Sequence, residues 1–569
     1  MPASTPSSTP DNVTDIRVEQ SLPLDKMLVR AGLGSGIHRS VPARDVLRWG
    51  GRLARIPSRT AGRFADLARE AGRIGMGTAT PAPRDRRFSD RAWEENGAYR
   101  RWVQLHFAAH ETAHQLLRDA ELDDRVESKL RLLIDNVASA VAPSNSPLNP
   151  AALKEAIDSG GASFVRGFRN FLSDVSSAPR IPNMVDHAAF ELGKNIAVTP
   201  GQVIHRAPMF ELIEYRATTE QVRETPLLLV PPTINKYYAL DLAPERSVVE
   251  FMVAQGFRVF AISWRNPTAR HAAWGLDAYV HAVLTALATT RTISGAASTS
   301  LWGTCSGGIV TAVAVAHLAA TDRESEVASL ALPVTLLDQR ISGTSGALLD
   351  PSLARRAVAR SARKGYLDGA SLAELFAWLR PDDLIWNYWV SNYLLGKQPP
   401  AFDLLYWNAD STRMPAALHR DFVEVALENQ LVESGALVCH GVPVDLGLIT
   451  VDAFVIGAVA DHITPWQSCY RTTQLLGGKC EFVLSNSGHV AAMVNPPSNP
   501  KASYQHASHT PPDPEDFKSS AERHSGSWWP AYATWLDSRS GERVPAPEAP
   551  GSPEHPALCE APGTYVLDR

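Results

Sequence analysis

An uncharged stretch of thirty residues, 292–321, constrains the fold of this 569-residue chain more than any other feature. It contains no Asp, Glu, Lys or Arg, yet Gly303, Gly307 and Gly308 interrupt it in the middle. A membrane-spanning helix needs about 20 predominantly apolar residues, and the glycines and hydroxyl side chains here do not provide them. The stretch therefore predicts a buried strand, a tight turn and a buried helix over residues 308–320.

Short apolar runs recur on both sides of this stretch and alternate with helical patterns from about residue 201. Such alternation is typical of an α/β domain built on a mainly parallel sheet. Residues 337–440 are helical and rich in Trp and Tyr, and we interpret them as a cap inserted between strands. Their aromatic side chains either form the core of the cap or line an apolar channel. The predicted strands are 226–231, 257–263, 300–303, 329–336, 444–459 and 480–484.

The two ends of the chain differ from this α/β domain, which we assign to residues 201–569. Residues 1–15 are rich in Pro, Ser and Thr and are predicted to be disordered. Residues 16–200 are predicted to form a mainly helical N-terminal domain, with helices over 124–142 and 162–175. The tail beyond about residue 496 is rich in proline. Its aromatic residues are expected to pack on the core; they are Trp528, Trp529, Tyr532 and Trp535.

A row of arginines marks the N-terminal hundred residues, which carry a net charge of +6 against −11 for the rest of the chain. The spacing lines one face of a helix, which Gly50, Gly51 and Pro57 are expected to bend or break. The row is either a solvated helix face or a surface that rests on an anionic interface. Its members are Arg44, Arg48, Arg52, Arg55, Arg59 and Arg63.

Composition excludes several classes of protein. Five cysteines in 569 residues cannot form a disulfide framework, and none has the CxxC spacing of a structural zinc site. A net charge of −5 argues against a dedicated nucleic-acid binder. The chain begins without the basic and apolar regions of a secretion signal, so a cytoplasmic protein without a transmembrane segment is expected. Neither a dinucleotide fingerprint nor a P-loop is present, so no cofactor is predicted.

Residues 303–307, Gly-Thr-Cys-Ser-Gly, have the G-x-C-x-G form of a nucleophile elbow. The motif lies between a predicted strand and a predicted helix, which is the context that such an elbow requires. Gly303 and Gly307 are needed because a side chain at either position is expected to collide where the chain turns sharply. Cys305 is therefore the candidate nucleophile, and the alternative is a buried, unreactive cysteine.

An elbow enzyme also needs an acid and then a histidine further along the chain. Asp461 follows a predicted strand, at the end where α/β sites form, and His489 follows the next strand. His489 is expected to take the thiol proton from Cys305, and Asp461 is expected to orient the imidazole. His462 is the rival base, and we place it near the site or toward the substrate.

An acyl enzyme further needs two backbone N–H donors for the oxyanion. One is expected to be the N–H of Ser306, which follows the nucleophile. The other is expected from the loop after Val230, where Thr233 or Ile234 is the candidate because Pro231 and Pro232 have no N–H.

The chain resembles the polyhydroxyalkanoate synthases, and specifically their single-component members, from about residue 88 to residue 566. The resemblance implies an α/β-hydrolase fold with a helical cap and the triad Cys305, His489 and Asp461. It also implies a helical N-terminal domain used in dimerisation and in attachment to polymer granules. The matching segments are GTCSGG at 303–308, LVPPTINKYY at 229–238, SWRNP at 263–267, WNY at 386–388, NYLLG at 392–396, WNADST at 407–412, DHITPW at 461–466 and GHV at 488–490.

The reaction implied by this resemblance polymerises (R)-3-hydroxyacyl-coenzyme A into a polyester and releases coenzyme A. A cysteine nucleophile fits acyl transfer, because a thioester bound to Cys305 keeps the acyl group activated for a second nucleophile. The implied partners are the growing polyester, a second copy of the chain and the surface of the granule. The alternatives are a thioesterase or polyester depolymerase of the same fold, and a granule-coat protein without activity.

Overall fold

A computed structural model describes residues 43–176, 179–339, 351–379, 381–461, 463–507 and 509–569 of the chain. The tail predicted to be disordered, residues 1–15, lies outside the described residues, and so does His462. Among the described residues no helix combines the length and the apolar composition needed to cross a bilayer.

Helices form the whole regular structure up to residue 200 of the described chain and then alternate with strands. The α-helices are α1 Ala43–Ala54, α2 Pro57–Met76, α3 Ala92–Glu95, α4 Gly97–Asp119, α5 Asp124–Ala140, α6 Pro150–Asp158, α7 Ala162–Ser176, α8 Val248–Ala254, α9 Leu276–Ser294, α10 Ser306–Ala320, α11 Pro351–Lys364, α12 Gly369–Leu379, α13 Asp403–Ala409, α14 Ala416–Glu428, α15 Trp466–Leu475, α16 His489–Met493, α17 Pro514–Ser520 and α18 Trp529–Asp537. Two π-helices, Asp382–Trp386 and Trp389–Leu394, lie between α12 and α13.

An 11-stranded sheet dominates the rest of the chain, in the order β15-β14-β13-β12-β7-β6-β4-β5-β2-β1-β17. The six strands from β13 to β5 in this order are parallel, and the outer ones are antiparallel. The strands are β1 Gly201–Arg206, β2 Phe210–Tyr215, β3 Gln221–Arg223, β4 Leu227–Val230, β5 Val259–Trp264, β6 Thr299–Gly303, β7 Val327–Pro333, β8 Tyr366–Leu367, β9 Met414–Pro415, β10 Val438–Cys439, β11 Val442–Pro443, β12 Ala453–Ala458, β13 Cys480–Ser485, β14 Ser503–Ala507, β15 Glu522–Ser525, β16 Arg543–Pro545 and β17 Cys559–Glu560.

Two apolar layers cover the two faces of this sheet. Alternate residues of one strand enter different layers: Leu228 and Val230 belong to the first, Leu227 and Leu229 to the second. Successive side chains of a strand point to opposite faces, so a strand covered on both faces reads as a continuous apolar run. This explains why the central strands were predictable: each of the six runs named above overlaps a strand of the sheet.

The outer antiparallel strands were not predicted, because their sequences lack such runs. Strand β15 reads Glu-Arg-His-Ser and is mostly exposed, and β14 is half-buried throughout. Strand β2 carries Glu211 and Glu214, and both are fully buried. Glu211 accepts hydrogen bonds from the backbone N–H groups of Thr564 and Tyr565, at 2.8 and 2.9 Å. The buried carboxylates thus hold the end of the chain against the sheet.

The segment predicted as a cap, 337–440, lies between two strands that pair in parallel, β7 and β12. Its aromatic side chains pack on one another and on the N-terminal region: Trp389 contacts Trp386, and both Trp389 and Tyr393 contact Phe171 of α7. For these residues the structure favours the packing alternative over an apolar channel. The assignment of separate domains at residues 200 and 201 stays a prediction.

The row of arginines divides between α1 and α2. The helix breaks before Pro57, as predicted, but it continues through Gly50 and Gly51. Three members of the row form ion pairs with acids in and after α4. These pairs hold α1 and α2 against the turn between α4 and α5, so these charges serve the fold of the N-terminal region. The pairs are Arg48–Asp123 at 2.8 Å, Arg59–Glu121 at 3.6 Å and Arg63–Asp119 at 2.6 Å.

The aromatic residues near the end of the chain pack on the core, as expected. Trp528 stacks on Trp302 of β6 with ring centroids 5.7 Å apart, and Tyr532 meets the same ring edge-on at 4.8 Å. Trp302 precedes Cys305 by three residues, so the C-terminal helix α18 supports the strand that leads to Cys305.

Candidate active site

Cys305 lies in a strained turn between β6 and α10, with φ 51° and ψ −122°. L-residues other than glycine rarely adopt a positive φ, and this conformation characterises the nucleophile elbow. Two backbone bonds hold the turn to neighbouring strands: the N–H of Thr304 donates to Val230 at 3.0 Å, and the N–H of Cys305 donates to Pro333 at 3.1 Å. The elbow is therefore anchored to the ends of β4 and β7.

The glycines around Cys305 are required by close backbone contacts, as the sequence predicted. A Cβ atom on Gly307 would lie 2.2 Å from the carbonyl oxygen of Pro231. One on Gly303 would lie 2.5 Å from Oγ1 of Thr311 and 2.8 Å from Cα of Gly308. The chain can turn this sharply only where side chains are absent.

We expect Gly307→Ala to lower the free energy of unfolding by about 1–3 kcal/mol, because the new methyl group meets a backbone oxygen that cannot rotate away. Chemical denaturation of the purified chain measures this change. The matched control is Gly72→Ala in α2, where nothing lies within 4 Å of the added Cβ. That substitution should raise stability by about 0.5–1 kcal/mol. A neutral effect at residue 307 would contradict the interpretation of the elbow.

His489 and Asp461 lie beside the elbow and form a buried pair. Nδ1 of His489 lies 2.7 Å from Oδ2 of Asp461. Oδ1 of Asp461 accepts the backbone N–H groups of Ile463 and Thr464, each at 2.8 Å, and Oδ2 accepts the Thr464 hydroxyl at 2.6 Å. Both carboxylate oxygens are therefore committed to His489 or to the turn before α15.

The electrostatics of the pair favour a proton on His489. Burial lowers the pKa of His489, but the charge of Asp461 and the interaction with Cys305 on the other side outweigh burial and raise that pKa well above its ordinary value. Burial raises the pKa of Asp461, and the charge of His489 outweighs it, so the pKa of Asp461 is lowered. Asp461 and Cys305 both raise the pKa of His489, so the structure brings all three predicted residues close together.

The loop after β4, which was expected to provide an oxyanion donor, is hydrogen-bonded to Ser306 of the elbow. The N–H of Thr233 donates to the hydroxyl oxygen of Ser306 at 3.0 Å, and the Thr233 hydroxyl donates to the same oxygen at 3.1 Å. Ser306 is the first residue of α10, where backbone N–H groups lack helical partners. Ile234 is buried in the same loop, and its carbonyl accepts the N–H of Thr412. The loop after β4 therefore contacts the elbow, and the role of Thr233 or Ile234 as an oxyanion donor stays a prediction.

Two residues near the triad escaped the sequence analysis. Thr464 bonds Asp461 and also lies 3.2 Å from Nδ1 of His489. Cys469 in α15 is fully buried, its thiol lies 3.7 Å from the carbonyl of Thr464, and burial raises its pKa well above the ordinary value. The Thr-Pro pair before α15 resembles a helix start and was the one available signal for Thr464.

The candidate triad is buried in the described part of the chain. Cys305 is 4% exposed, Asp461 5% and His489 7%. A pair buried to this extent interacts strongly, because water does not screen it.

The fold and the site define a protein of the α/β-hydrolase class with a cysteine at its nucleophile elbow. The model of the alpha/beta hydrolase fold matches residues 226–496, and the model of the poly-beta-hydroxybutyrate polymerase N-terminus matches residues 84–252. The chain is 44% identical over 518 residues to poly(3-hydroxyalkanoate) polymerase 2 of Ectopseudomonas oleovorans, which covers 90% of this chain and 92% of that protein. It belongs to the poly(3-hydroxyalkanoate) polymerase family.

Two further relatives support this assignment. Poly(3-hydroxyalkanoate) polymerase 1 of Ectopseudomonas oleovorans is 41% identical over 529 residues, 93% of this chain and 94% of that protein. The poly(3-hydroxyalkanoate) polymerase subunit PhaC of Cupriavidus necator is 39% identical over 500 residues, 86% of this chain and 84% of that protein. The matches include both the helical N-terminal region and the α/β domain.

Proposed function

We propose that this chain is an acyltransferase that polymerises (R)-3-hydroxyacyl-coenzyme A into polyhydroxyalkanoate and releases coenzyme A. The observation that carries the proposal is the strained Cys305 beside the buried His489–Asp461 pair, in a chain whose relatives are named polymerases along nearly their whole length. The reaction needs no cofactor, because sulfur and imidazole supply its chemistry.

The first step loads the acyl group. His489 takes the thiol proton, the sulfur of Cys305 attacks the thioester carbonyl, and the protonated His489 returns the proton to the departing thiolate of coenzyme A. The raised pKa of His489 suits its role as proton acceptor. The N–H of Ser306 is the first donor to the oxyanion, and the N–H of Thr233 becomes the second when it leaves the Ser306 hydroxyl.

The second step joins two acyl units. The 3-hydroxyl of one unit loses its proton to His489 and attacks the thioester carbonyl of another, so an ester bond forms as a carbon–sulfur bond breaks. Asp461 acts through His489, because its two oxygens are occupied by Ile463, Thr464 and His489. This arrangement favours an orienting role over direct contact of Asp461 with the substrate hydroxyl.

The decisive experiment incubates the chain with (R)-3-hydroxybutyryl-coenzyme A and with longer (R)-3-hydroxyacyl-coenzyme A substrates. Released thiol and turbidity are followed together, and the product is analysed for ester-linked units. Polymer together with coenzyme A supports the proposal. Soluble hydroxyacid with coenzyme A would instead identify a thioesterase, and no release with any substrate would refute an acyl enzyme.

We further propose that the chain works as a homodimer in the cytoplasm, at the surface of polymer granules. The feature that supports granule contact is an exposed apolar face on α7. A neighbouring face of the same helix packs closely on the second π-helix, where a Cβ on Gly167 would overlap the carbonyl of Tyr393. Exposed apolar patches mark interaction surfaces. The face comprises Phe164, Val165, Phe168, Leu172 and Val175, with Phe168 61% exposed.

We expect the double substitution Phe168→Ser and Leu172→Ser to weaken binding to isolated polymer granules by roughly tenfold or more, since each apolar side chain contributes about 1.5–3 kcal/mol when buried. Co-sedimentation with granules measures the bound fraction. Arg169→Ser, an exposed polar position on the same helix, is the control and should bind as the unsubstituted chain does. Unchanged binding of the double variant would show that α7 does not contact the polymer.

A further inference from the structure

Helix α4 carries the sequence His-Glu-Thr-Ala-His at residues 110–114. Two histidines four residues apart lie on one face of a helix, and the H-E-x-x-H spacing is the one by which helices present two imidazoles to a zinc ion. The sequence analysis considered only cysteine spacing and predicted no metal site. The mechanism proposed above makes no use of these residues, which lie in the N-terminal region.

A carboxylate from the neighbouring helix meets both imidazoles. Oδ1 of Asp135 in α5 lies 2.9 Å from Nε2 of His110 and 2.7 Å from Nε2 of His114. The two Nε2 atoms lie 3.0 Å from each other. Three atoms of the kind that bind zinc therefore converge on one point from two helices.

We propose that His110, His114 and Asp135 bind one divalent transition-metal ion, with Zn²⁺ as the preferred ion. In tetrahedral zinc sites the metal–ligand distances near 2 Å place neighbouring ligand atoms about 3.3 Å apart. The three observed separations fall only a few tenths of an ångström short of this value. Small outward rotations of the side chains would open the triangle for the ion, without movement of the helices.

The exposure of the group suits a metal. His110 and Asp135 retain about a third of their side-chain exposure, at 30% and 36%. Water can therefore reach the site and provide a fourth ligand.

The geometry indicates a binding site without hydrolytic activity. In H-E-x-x-H hydrolases the glutamate is the general base. Here Glu111 points elsewhere: its Oε1 accepts hydrogen bonds from Arg118 at 2.8 Å and from Gln115 at 3.2 Å. The ion would instead cross-link α4 to α5. Arg63 pairs with the last residue of α4, and Arg48 pairs with the turn that connects the two helices. Metal binding would thus stabilise the N-terminal region.

The test is metal binding by the full chain. After chelator treatment and dialysis, Zn²⁺ is titrated in competition with a chromogenic chelator, and Co²⁺ is titrated with recording of the absorption spectrum. We expect one site with visible ligand-field bands and no thiolate-to-metal charge-transfer band, because the ligands are nitrogen and oxygen. Zn²⁺ should also raise the melting temperature of the chain, because an ion that binds only the folded state stabilises it.

His114→Gln and the isosteric Asp135→Asn should each weaken Zn²⁺ binding by about tenfold or more and remove the Co²⁺ bands. Glu111→Gln should bind as the unsubstituted chain does, and so should His440→Gln, which alters the second group of ligand-type residues, Asp277, Cys439 and His440. Circular dichroism without metal verifies that each variant is folded. A thiolate band, or binding unchanged in both ligand variants, would overturn the proposal.

Discussion

Cys305→Ala is expected to reduce coenzyme A release from (R)-3-hydroxyacyl-coenzyme A by roughly 10⁴-fold or more. The substitution removes the only atom that can carry the acyl group in the proposed reaction, and oxyanion donors without a nucleophile provide little turnover. The side chain is small and sits at the start of α10, so the fold should persist. Thiol release measured with a chromogenic reagent, after subtraction of the protein's own thiols, gives the rate.

The structure selects the controls for this experiment. Cys439 and Cys480 are buried away from the elbow, and burial raises the pKa of Cys480 to about 12. Cys480→Ala and Cys439→Ala should therefore keep most of the activity. Cys469→Ala is not an equivalent control, because Cys469 interacts electrostatically with both Asp461 and Cys305. Activity retained in Cys305→Ala would disprove the assignment of the nucleophile.

Asp461→Asn is expected to lower the rate by roughly 10³- to 10⁴-fold, because an amide no longer holds the imidazole in the required tautomer or stabilises its cation. The size of the side chain is unchanged, and its oxygen can still accept from Ile463 and Thr464. The loss should therefore appear in the rate and only weakly in the melting temperature. Steady-state thiol release and thermal unfolding are measured on the same preparation.

The same substitution should move the pH dependence of the reaction. The negative charge of Asp461 raises the pKa of His489, so its removal lowers that pKa, and a limb of the rate profile governed by His489 should shift to lower pH. Asp452→Asn, just before the same strand β12, is the control: Asp452 bonds Arg539 at 2.9 Å and is remote from this pair. If Asp461→Asn kept full activity and the pH dependence of its rate did not shift, Asp461 would have no part in the reaction.

Much of the site was predictable because its signals are local. Strand β6 ends at Gly303, where the elbow was expected. A strand that is buried on both faces consists mainly of apolar residues, and a sharp turn such as this elbow contains glycines. Both features can be recognised in a short segment of the sequence. The expected chain order of nucleophile, acid and base then identified Asp461 and His489 as candidates from the sequence alone.

The rest depended on partners distant in sequence. From the sequence alone, Arg63 is expected to be a solvated surface charge, but in the structure Asp119 pairs with it. Glu211 is likewise expected to be an exposed acid, but residues 564 and 565 cover it and donate hydrogen bonds to it. Strand β15 has no apolar side, so only its pairing with β14 identifies it as a strand.

The sequence by itself determined the α/β architecture, the elbow and the candidate residues of the triad, because apolar periodicity, glycine and residue order are properties of short segments. Only the tertiary structure decided that these residues are buried, that Thr233 is held by Ser306, and that Asp135 meets His110 and His114. Burial and hydrogen bonding depend on contacts between segments that are distant in sequence and that meet only in the folded chain. A local sequence pattern does not specify the distances between such segments.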